Sequence, residues 1–351
     1  MAAKVKLTGK DFKALVSALG RFPALGSFAE SEVVSFRANQ DKAVATSLGT
    51  VLTRAAVPAQ GDFPLTGIDS RYLASASAIT REAANVVISL DNQVVTIKAG
   101  TNELTVAAGI GQDHKFPSLK SIQPLTFNKH ASQSIQYLAA IAFADNTRPE
   151  LGCVYLTDDG RAVAVNQKTN AVLKLGAAQR ATAVPVAVAK ILAEGDKLYC
   201  GELETIVRSG IAYYAVPSPV AAQKNFPIVA IDQYGAVQKS PVATCTCKHL
   251  AQALLDCKAS LTAVTRTEVI VRLLSSQTGL ELAAESGGAK FRAKIKATIK
   301  LEAELFAPLE EIVHIAPFLD NDQNATLSRG ANGELFVSFP DGYCMHPAYR
   351  R

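Results

Sequence analysis

The stretch Leu138–Leu156, with the sequence LAAIAFADNTRPELGCVYL, decides the fold. Its beginning is rich in alanine and leucine, which predicts the end of a helix packed closely on a neighbouring element. The polar run Asp145–Thr147 breaks this pattern, and Pro149 prevents the helix from continuing. Cys153–Leu156 is apolar enough to form a buried strand. The stretch therefore predicts a helix, a polar loop and a strand in immediate succession.

The composition is that of an ordinary globular protein with two or three domains. The 351 residues are 48% hydrophobic and 19% charged, with a formal net charge of +5. No apolar run approaches the roughly 18 residues of a membrane span, and the beginning MAAKVKLTGKDF lacks the apolar core of a signal peptide. Six scattered cysteines favour reduced thiols. We therefore expect a cytoplasmic protein with no membrane partner, whose mild positive charge permits nucleic-acid binding without requiring it.

Segments with helical periodicity recur three times along the chain. The first helices of the repeats are predicted over Gly9–Leu19, Asn128–Phe143 and Lys248–Val264, whose starts lie about 120 residues apart. Second helices are predicted about 60 residues after each of these. They cover Ser70–Ile79, Pro185–Ala193 and Ala307–Leu319. Such a period indicates three copies of one structural unit.

Short strand-like runs rich in Val, Ile and Thr fill the spaces between these helices. Each repeat closes on a proline motif: Lys115-Phe116-Pro117, Asn225-Phe226-Pro227 and Met345-His346-Pro347. Pro124 and the stretch Asp232–Pro241 interrupt the periodicity between repeats. We predict an α+β fold of three domains, over residues 1–122, 123–236 and 237–351, each with two helices packed on antiparallel sheet.

No catalytic motif is present, and we expect no enzymatic activity, no cofactor and no metal. A phosphate-binding loop, a GxSxG motif and an HExxH motif are all missing from the sequence. Gly287-Gly288 is typical of a hairpin turn. Cys245, Cys247 and His249 do not have the spacing of a standard zinc motif. Asp320, Asp322 and Asn324 imitate the start of a calcium loop that lacks its glycine and its final glutamate.

The residues Phe143-Ala144, the acidic loop, Thr147-Arg148-Pro149 and then Leu151, Gly152 and Val154 resemble the middle domain of bacterial DNA polymerase sliding clamps, the DNA polymerase III β subunit family. The resemblance implies that two three-domain copies join head to tail into a closed ring around duplex DNA. Such a ring is a processivity factor that tethers the replicative polymerase and does no chemistry. The departures from the family pattern predict a divergent member, such as a phage-encoded one acting in the host cytoplasm.

The resemblance also implies contacts to DNA that are non-specific, because a ring that slides must touch phosphates rather than bases. Basic and polar residues on the helices and their adjoining loops are the expected contacts. The candidates are Lys10, Lys13, Arg21, Arg71, Lys129, Gln133, Tyr137, Arg148, Lys248, Gln252 and Lys258. Glu310 and Glu311 depart from this basic lining.

Two further surfaces are implied by the resemblance. A hydrophobic pocket between the middle and last domains would bind short peptides of the polymerase, the clamp loader and other partners. Its candidate residues are Leu151, Val165, Val172, Met345, Pro347 and Ala348. The homodimer interface would use strand edges of the first and third repeats. Its candidates are Leu104, Val106 and Leu261.

Two other functions stay open at this point. A clamp-like protein without DNA tethering could serve as a scaffold for partners, although the mild positive charge argues weakly against it. An enzyme of unknown class would require titratable groups gathered in a cleft. A trimeric ring of two-domain copies is disfavoured, because three repeats in one copy predict two copies for six-fold pseudosymmetry.

Overall fold

A computed structural model of the chain describes residues 3–20, 33–48, 51–119, 122–143, 148–166, 169–176, 181–261 and 268–348. The predicted polar loop Asp145–Thr147 and the candidate Arg21 lie outside these residues. The chain divides into two compact units. Unit 1 comprises Met1–Asn128 and Ile191–Ser218, and unit 2 comprises Lys129–Lys190 and Pro219–Arg351. The three-domain boundaries stay a prediction.

The helices are α1 (Gly9–Leu19), α2 (Ser70–Ile79), α3 (Lys129–Ile141), α4 (Val186–Ala189), α5 (Val220–Asn225), α6 (Ile228–Ala236), α7 (Cys247–Leu261) and α8 (Leu309–Ile312). Two 3-10 helices cover Pro149–Leu151 and Val313–Leu319. The strands are β1 (Ala3–Thr8), β2 (Val33–Asn39), β3 (Lys42–Leu48), β4 (Leu52–Pro58), β5 (Gln60–Asp69), β6 (Asn85–Asp91), β7 (Val94–Ala99), β8 (Asn102–Ala107), β9 (Gly109–Ile110), β10 (Leu125–Thr126), β11 (Cys153–Leu156), β12 (Arg161–Val165), β13 (Asn170–Lys174), β14 (Thr182–Pro185), β15 (Lys197–Cys200), β16 (Glu204–Ser209), β17 (Ala212–Pro217), β18 (Lys239–Thr246), β19 (Ile270–Ser276), β20 (Gly279–Ser286), β21 (Ala289–Ile295), β22 (Ala297–Ile299), β23 (Ala303–Pro308), β24 (Asn324–Gly330), β25 (Leu335–Phe339) and β26 (Gly342–His346).

The strands of unit 1 form one antiparallel sheet in the order β10-β15-β16-β17-β4-β3-β2-β5-β1-β6-β7-β8, with β9 paired to β5. Helix α1 buries Phe12, Leu15 and Leu19, which lie on one face because they are spaced at helical period. Its N-terminus is capped by Thr8, whose hydroxyl accepts the backbone N–H of Asp11 at 3.1 Å. Burial of this apolar stripe holds the helix on the sheet.

Unit 2 contains two antiparallel sheets, ordered β14-β11-β12-β13-β26-β25-β24-β18-β22 and β21-β20-β19-β23. Helix α3 buries Ile135 and Leu138 and packs against β12. Helix α7 buries Leu250 and Leu254 and packs against the second sheet. No helix in the described part of the chain is long and apolar enough to cross a membrane.

Both large sheets run from one predicted repeat into the next. In unit 1, β17 of the middle repeat pairs with β4 of the first, with Tyr213 opposite Arg54. In unit 2, β13 of the middle repeat pairs with β26 of the third. At the second junction a Cβ on Gly342 would lie 2.0 Å from the carbonyl oxygen of Val172, so only glycine fits there. These pairings join the repeats through backbone hydrogen bonds.

The structure confirms α1, α2 and β11 with the predicted bounds, and the Gly287-Gly288 hairpin turn, where both residues have positive φ. The second helices of the later repeats are shorter than predicted. Helix α4 contains β-branched valines, and Pro317 turns the end of the third repeat's helix into a 3-10 helix. Residues 232–236, which lie in the predicted interruption between repeats, belong to α6.

A polar chain runs in unit 2 from the half-buried Asn166 and Glu311 to the buried Thr169 and His346. Glu311 on α8 accepts hydrogen bonds from Asn166 Nδ2 at 2.8 Å and from Thr169 Oγ1 at 3.2 Å. The hydroxyl of Thr169 lies 3.0 Å from Nδ1 of His346, whose side chain is fully buried on β26. Because the Thr169 proton is donated to Glu311, His346 must donate from Nδ1, which leaves Nε2 unprotonated in the neutral ring. That Nε2 has no hydrogen-bond partner among the described residues.

This arrangement predicts an acid-sensitive fold. Burial, with a smaller contribution from the nearby His314, lowers the pKa of His346 from 6.5 to about 4. In this pH range the unfolded chain therefore binds a proton on His346, whereas the folded chain keeps the ring neutral. The free energy of unfolding falls as the pH drops from about 6.5 to about 4, by about 3 kcal/mol in total. Urea unfolding of wild type and His346→Asn across this pH range measures the difference, which should shrink in the variant.

The matched control is His130→Asn, which changes an exposed histidine on α3. It removes one imidazole from the protein without touching the contact between Thr169 and His346. Equal pH slopes in wild type and His346→Asn would show that His346 is not kept neutral by the fold.

Candidate nucleic-acid and peptide interface

Three of the candidate DNA contacts occupy the same place in three repeats. Lys10, Lys129 and Lys248 lie in the first turns of α1, α3 and α7, and all three side chains are exposed. Successive lysines in this set are 119 residues apart. The N-terminus of a helix has unpaired N–H groups and the positive end of the helix dipole, so a lysine there reinforces an existing attraction for anions.

Other candidate cations already have acidic neighbours. Arg71 Nη2 lies 2.6 Å from Asp69 Oδ2, and this hydrogen bond lowers the pKa of the Asp69 carboxyl. Arg148 pairs with Glu150 in the same way. Lys258 lies 3.5 Å from the exposed Glu310 on α8. These pairs are solvent-exposed and therefore weak, so a phosphate could replace the carboxylate at modest cost.

The remaining polar candidates differ in their surroundings. Gln133 on α3 is exposed, as is Gln252 on α7, which donates a hydrogen bond to Asp256 at 2.7 Å. Lys13 on α1 is half-buried. Tyr137 packs edge-on against Phe318, with ring centroids 5.2 Å apart. The tyrosine therefore contributes to packing within unit 2, with only part of its side chain accessible.

The structure brings three predicted pocket residues together. Leu151, Val165 and Val172 belong to one apolar cluster on the sheet of unit 2, which we call the unit 2 cluster. The other buried members are Cys153, Val163, Ala183, Ala222, Phe226 and Ile231, with Tyr155, Ile228 and Tyr343 partly buried beside them. The cluster spans the junction of β13 with β26, because Val172 lies opposite Tyr343.

The connector carrying α5 and α6 covers part of this cluster. Phe226 stacks on Tyr155 with ring centroids 4.6 Å apart. Arg161 on β12 holds α6 in place through Asp232, at 2.6 Å. Local sequence reasoning missed these residues, and the repeated Phe-Pro motif was the one signal that could have found Phe226.

Met345 lies opposite Asn170 at the same junction, while Pro347 is exposed and Ala348 is half-buried. Lys239 was not predicted, yet its Nζ lies 4.3 Å from the ring centroid of Phe336 and 4.8 Å from that of Tyr343. Burial lowers the pKa of Lys239 and raises that of Tyr343. A cation held over two aromatic faces stiffens this edge of the junction.

The predicted interface residues occupy different environments. Leu104 and Val106 are half-buried on β8, which ends the sheet of unit 1. Strand β21 ends the smaller sheet of unit 2. Leu261 is buried at the end of α7. Both terminal strands have one backbone edge without a neighbouring strand among the described residues.

Metal ligands are not clustered in the described part of the chain. No group of three or more His, Cys, Asp or Glu side chains there could hold an ion. Cys245 and Cys247 are both buried as free thiols, and burial raises the pKa of each. Thiols in this state are poor ligands and poor nucleophiles.

No protein-family model and no curated protein matches the sequence. Solved structures do match over nearly the whole chain. A putative DNA polymerase III beta subunit from Eubacterium rectale superposes with a TM-score of 0.82 at 11% identity, covering 99% of this chain and 100% of that one. The sliding clamp from Bacillus subtilis gives 0.80 at 14% identity, covering 100% of both chains.

The beta clamp of Helicobacter pylori, solved with a bound DNA ligase peptide, gives a TM-score of 0.74 at 11% identity and covers 99% of this chain and 100% of that one. Agreement in three structures at such low identity means that topology, rather than sequence, is shared. The chain therefore has the fold of bacterial DNA polymerase sliding clamps.

Proposed function

We propose that this protein is a DNA sliding clamp, a processivity factor that encircles duplex DNA as a homodimeric ring and tethers a replicative polymerase. The fold supports the proposal, since the similar structures are clamps. The function is a matter of topology and binding and requires no catalytic group. Its place of action would be the cytoplasm, where bacterial DNA is copied.

The observation that carries the proposal is the lysine repeated at the start of each first helix. Lys10, Lys129 and Lys248 are exposed and keep one spacing through three repeats whose other residues differ. Folding does not require an exposed lysine at these positions. A protein that contacts the phosphates of a duplex without reading its bases needs positive charges at regular positions. Three lysines at equivalent helix N-termini provide such charges.

The decisive experiment tests whether the protein is held on DNA by topology. We would let it bind a linear plasmid, whose free ends a closed ring can pass over, then close the plasmid with DNA ligase and separate the complex by gel filtration in about 1 M salt, where the Debye length is only about 3 Å. A protein ring that encloses the circular plasmid should stay bound, because no ionic contact is needed to hold it. Cutting the plasmid once should then release it.

The control is the same linear plasmid carried through the experiment without ligation. Retention on both forms would indicate ordinary binding, and loss from both would indicate that no closed ring forms on DNA. Either result would contradict the proposed tethering.

The repeated lysines should account for part of the salt dependence of DNA binding. The triple variant Lys10→Ala, Lys129→Ala, Lys248→Ala should weaken binding about equally for different sequences, because only phosphate contacts are lost. The slope of log Kobs against log salt should fall by about 0.9 for each contact removed. Fluorescence anisotropy with labelled duplexes at several salt concentrations measures this slope.

The matched control replaces three exposed lysines on strands, Lys6, Lys42 and Lys174, by alanine. It removes the same charge from places without a helix N-terminus. If both triple variants lower the slope equally, general charge and not the repeated position governs binding.

The homodimer would form through the terminal strands. On β8, Leu104 and Val106 present a half-buried apolar face beside an open backbone edge. On β21, the half-buried Phe291 alternates with the exposed Lys290 and Arg292. Pairing β8 of one copy with β21 of the other would satisfy both edges, and doing so twice would close a ring instead of a filament.

Leu104→Asp should disrupt this interface, because a charge would be buried against the partner's strand. We expect the dimer dissociation constant to rise at least tenfold, or about 1.4 kcal/mol. Light scattering over a dilution series measures the mass. Thr105→Asp, an exposed neighbour pointing to the opposite face, is the control. Equal effects of both variants on the dimer dissociation constant, or a wild type that is monomeric at every concentration, would contradict the assignment of β8 to the dimer interface.

Peptide partners would bind at the unit 2 cluster. The Helicobacter pylori clamp binds a DNA ligase peptide, and here Leu151, Val165 and Val172 are gathered in one apolar cluster. We assign to this site the peptides of the polymerase, the clamp loader and other clamp-binding proteins. Aromatic side chains such as Tyr155 and Tyr343 suit the anchoring residues that dominate such interfaces.

A scaffold without DNA tethering is the second candidate. The observation in its favour is that Arg71, Arg148 and Lys258 each have an acidic neighbour, which reduces the charge available to DNA. Such a protein would bind peptides yet fail the plasmid experiment. The two functions are therefore separated by a single measurement.

A further inference from the structure

A row of paired residues crosses the junction between repeats in unit 1. The row consists of Phe36, Ala45, Ala55 and Ala212, each opposite the next. Ala212 is the first residue of β17, directly after the turn that follows β16. The start of a strand therefore marks the point where the middle repeat meets the row.

The junction in unit 2 has the same register. Its row consists of Leu156, Ala162, Leu173 and Gly342, again each opposite the next. Gly342 is the first residue of β26, directly after the turn that follows β25. Two junctions with different sequences thus share one arrangement, which indicates that the register belongs to the repeat and not to one local sequence.

The second helix of each repeat locates the start of its row. The N-cap residues of α2 and α4 lie opposite Val33 and Cys153. Each row begins three residues later, at Phe36 and Leu156. The row can therefore be found in the third repeat as well, because the N-cap of α8 is known.

The third repeat contains the row but lacks a strand to continue it. The N-cap residue of α8 is Pro308, which lies opposite Ile270. Three residues later, Leu273 lies opposite Leu282, and Leu282 lies opposite Ala293. In the described part of the chain β21 is the last strand of this sheet, so the row stops at Ala293.

The edge of β21 is less buried than its counterparts at the two junctions. Ala293 is half-buried, whereas the equivalent Ala55 and Leu173 are buried. Phe291, two residues before Ala293, is also half-buried, although a large aromatic side chain is costly to leave in water. A strand added at this edge would cover both side chains.

Strand β8 shows the matching deficit. It starts at Asn102, directly after the turn that follows β7, as β17 and β26 start after their turns. Leu104 on β8 is half-buried, whereas the residues at the same place in β17 and β26, Tyr214 and Cys344, are buried. Strand β8 is therefore a strand of the kind that completes a row, without a row to complete in its own unit.

The shared register predicts which residues meet when β8 of one copy joins β21 of another. Asn102 takes the place of Ala212 and Gly342, opposite Ala293. Because the strands are antiparallel, the next pairs are Glu103 with Arg292 and Leu104 with Phe291. The first of these pairs lies on the exposed face of both strands, and the second lies on the face that is half-buried.

Other registers make a poorer apolar contact. A shift by one residue would place Leu104 opposite an exposed cation of β21. A shift by two residues would place it opposite Ala289 or Ala293, whose side chains are a single methyl group. Only the register of the two internal junctions brings Leu104 against Phe291, the one large apolar side chain among these alternatives.

The charges on the exposed face also fit this register. Glu103 Oε2 lies 3.6 Å from Lys98 Nζ in unit 1. Arg292 Nε lies 4.0 Å from Glu281 Oε1 in unit 2, and the Arg292 side chain is 70% exposed. Pairing the strands would bring Glu103 beside Arg292, so that four charges of alternating sign follow one another across the junction. Opposite charges on paired strands stabilise a sheet.

We propose that two residue pairs, Glu103 with Arg292 and Leu104 with Phe291, set the register in which two copies of this chain join. The inference rests on the homodimer of the proposed function and adds the residues that make one copy recognise the other. The surface would thereby be selective for a second copy, because a partner strand needs an acidic residue directly followed by a large apolar one.

The test reverses each charge of the exposed pair in the full-length chain. Glu103→Arg alone and Arg292→Glu alone each place like charges at both junctions of a two-copy ring. Either variant should raise the dimer dissociation constant about tenfold, as measured by light scattering over a dilution series. An equal mixture of the two variants should regain the wild-type constant, because one junction of the mixed dimer carries both reversed charges and the other carries neither.

The matched controls are Lys290→Glu and Lys294→Glu, which make the same kind of charge reversal on the same exposed face of β21. Each is mixed with Glu103→Arg in the same way. Native mass spectrometry, with one variant of each mixture labelled with ¹⁵N, counts the mixed dimers. Loss of a contact inside one copy, such as that of Glu103 with Lys98, cannot explain a recovery on mixing.

Mixed dimers formed preferentially with Arg292→Glu would support the proposal. Preferential recovery with Lys290→Glu or Lys294→Glu, or equal recovery with all three, would overturn the register. A wild-type dimer whose dissociation constant Glu103→Arg leaves unchanged would overturn the register but not the homodimer. A wild type that is monomeric throughout would instead contradict the homodimer itself, and the register with it.

Discussion

Backbone pairing between repeats is the constraint on which the rest of the structure depends. Strand β17 joins β4 in unit 1, and β13 joins β26 in unit 2, so the two halves of the middle repeat belong to different sheets. At the second junction the chains approach so closely that Gly342 has no room for a side chain. Helices, apolar clusters and connectors are arranged around these two seams. The candidate peptide site lies on the second of these junctions, where strands of the middle and third repeats meet.

Local structure could be predicted wherever the sequence contains its own signals. Thr8 caps α1 and Asp69 caps α2, and both helices have the predicted bounds. The pairing of β17 with β4 could not be predicted, because register between distant strands leaves no mark on either strand alone. Helices α5 and α6 were missed for a related reason: their short apolar faces become meaningful only against the unit 2 cluster. Leu151, Val165 and Val172 lie in one apolar cluster, and they had been grouped by resemblance to a family and not by periodicity.

The surroundings of the charged candidates could also not be predicted from the sequence alone. Residue type alone ranks Arg71 with Lys10, yet Arg71 is bonded to Asp69 while Lys10 is exposed at a helix start. The polar chain from Asn166 to His346 could not be predicted either, because its two ends are 180 residues apart and its members look like ordinary loop and strand residues. This network limits how two repeats can pack, since a shifted arrangement would deprive the half-buried Glu311 of its hydrogen bonds from Asn166 and Thr169.

The seam in unit 1 has a consequence for how the protein is made. Ala55 on β4 cannot pair with Ala212 on β17 until the ribosome has added that residue, much later in synthesis. At roughly 5–20 residues per second, the nascent first repeat keeps an open strand edge for many seconds. During that time it can pair with a neighbouring nascent chain as readily as with its own. Production of this protein should therefore depend on how many ribosomes share one messenger RNA. Slow translation between Pro58 and Pro217 would favour exchange of strands between copies.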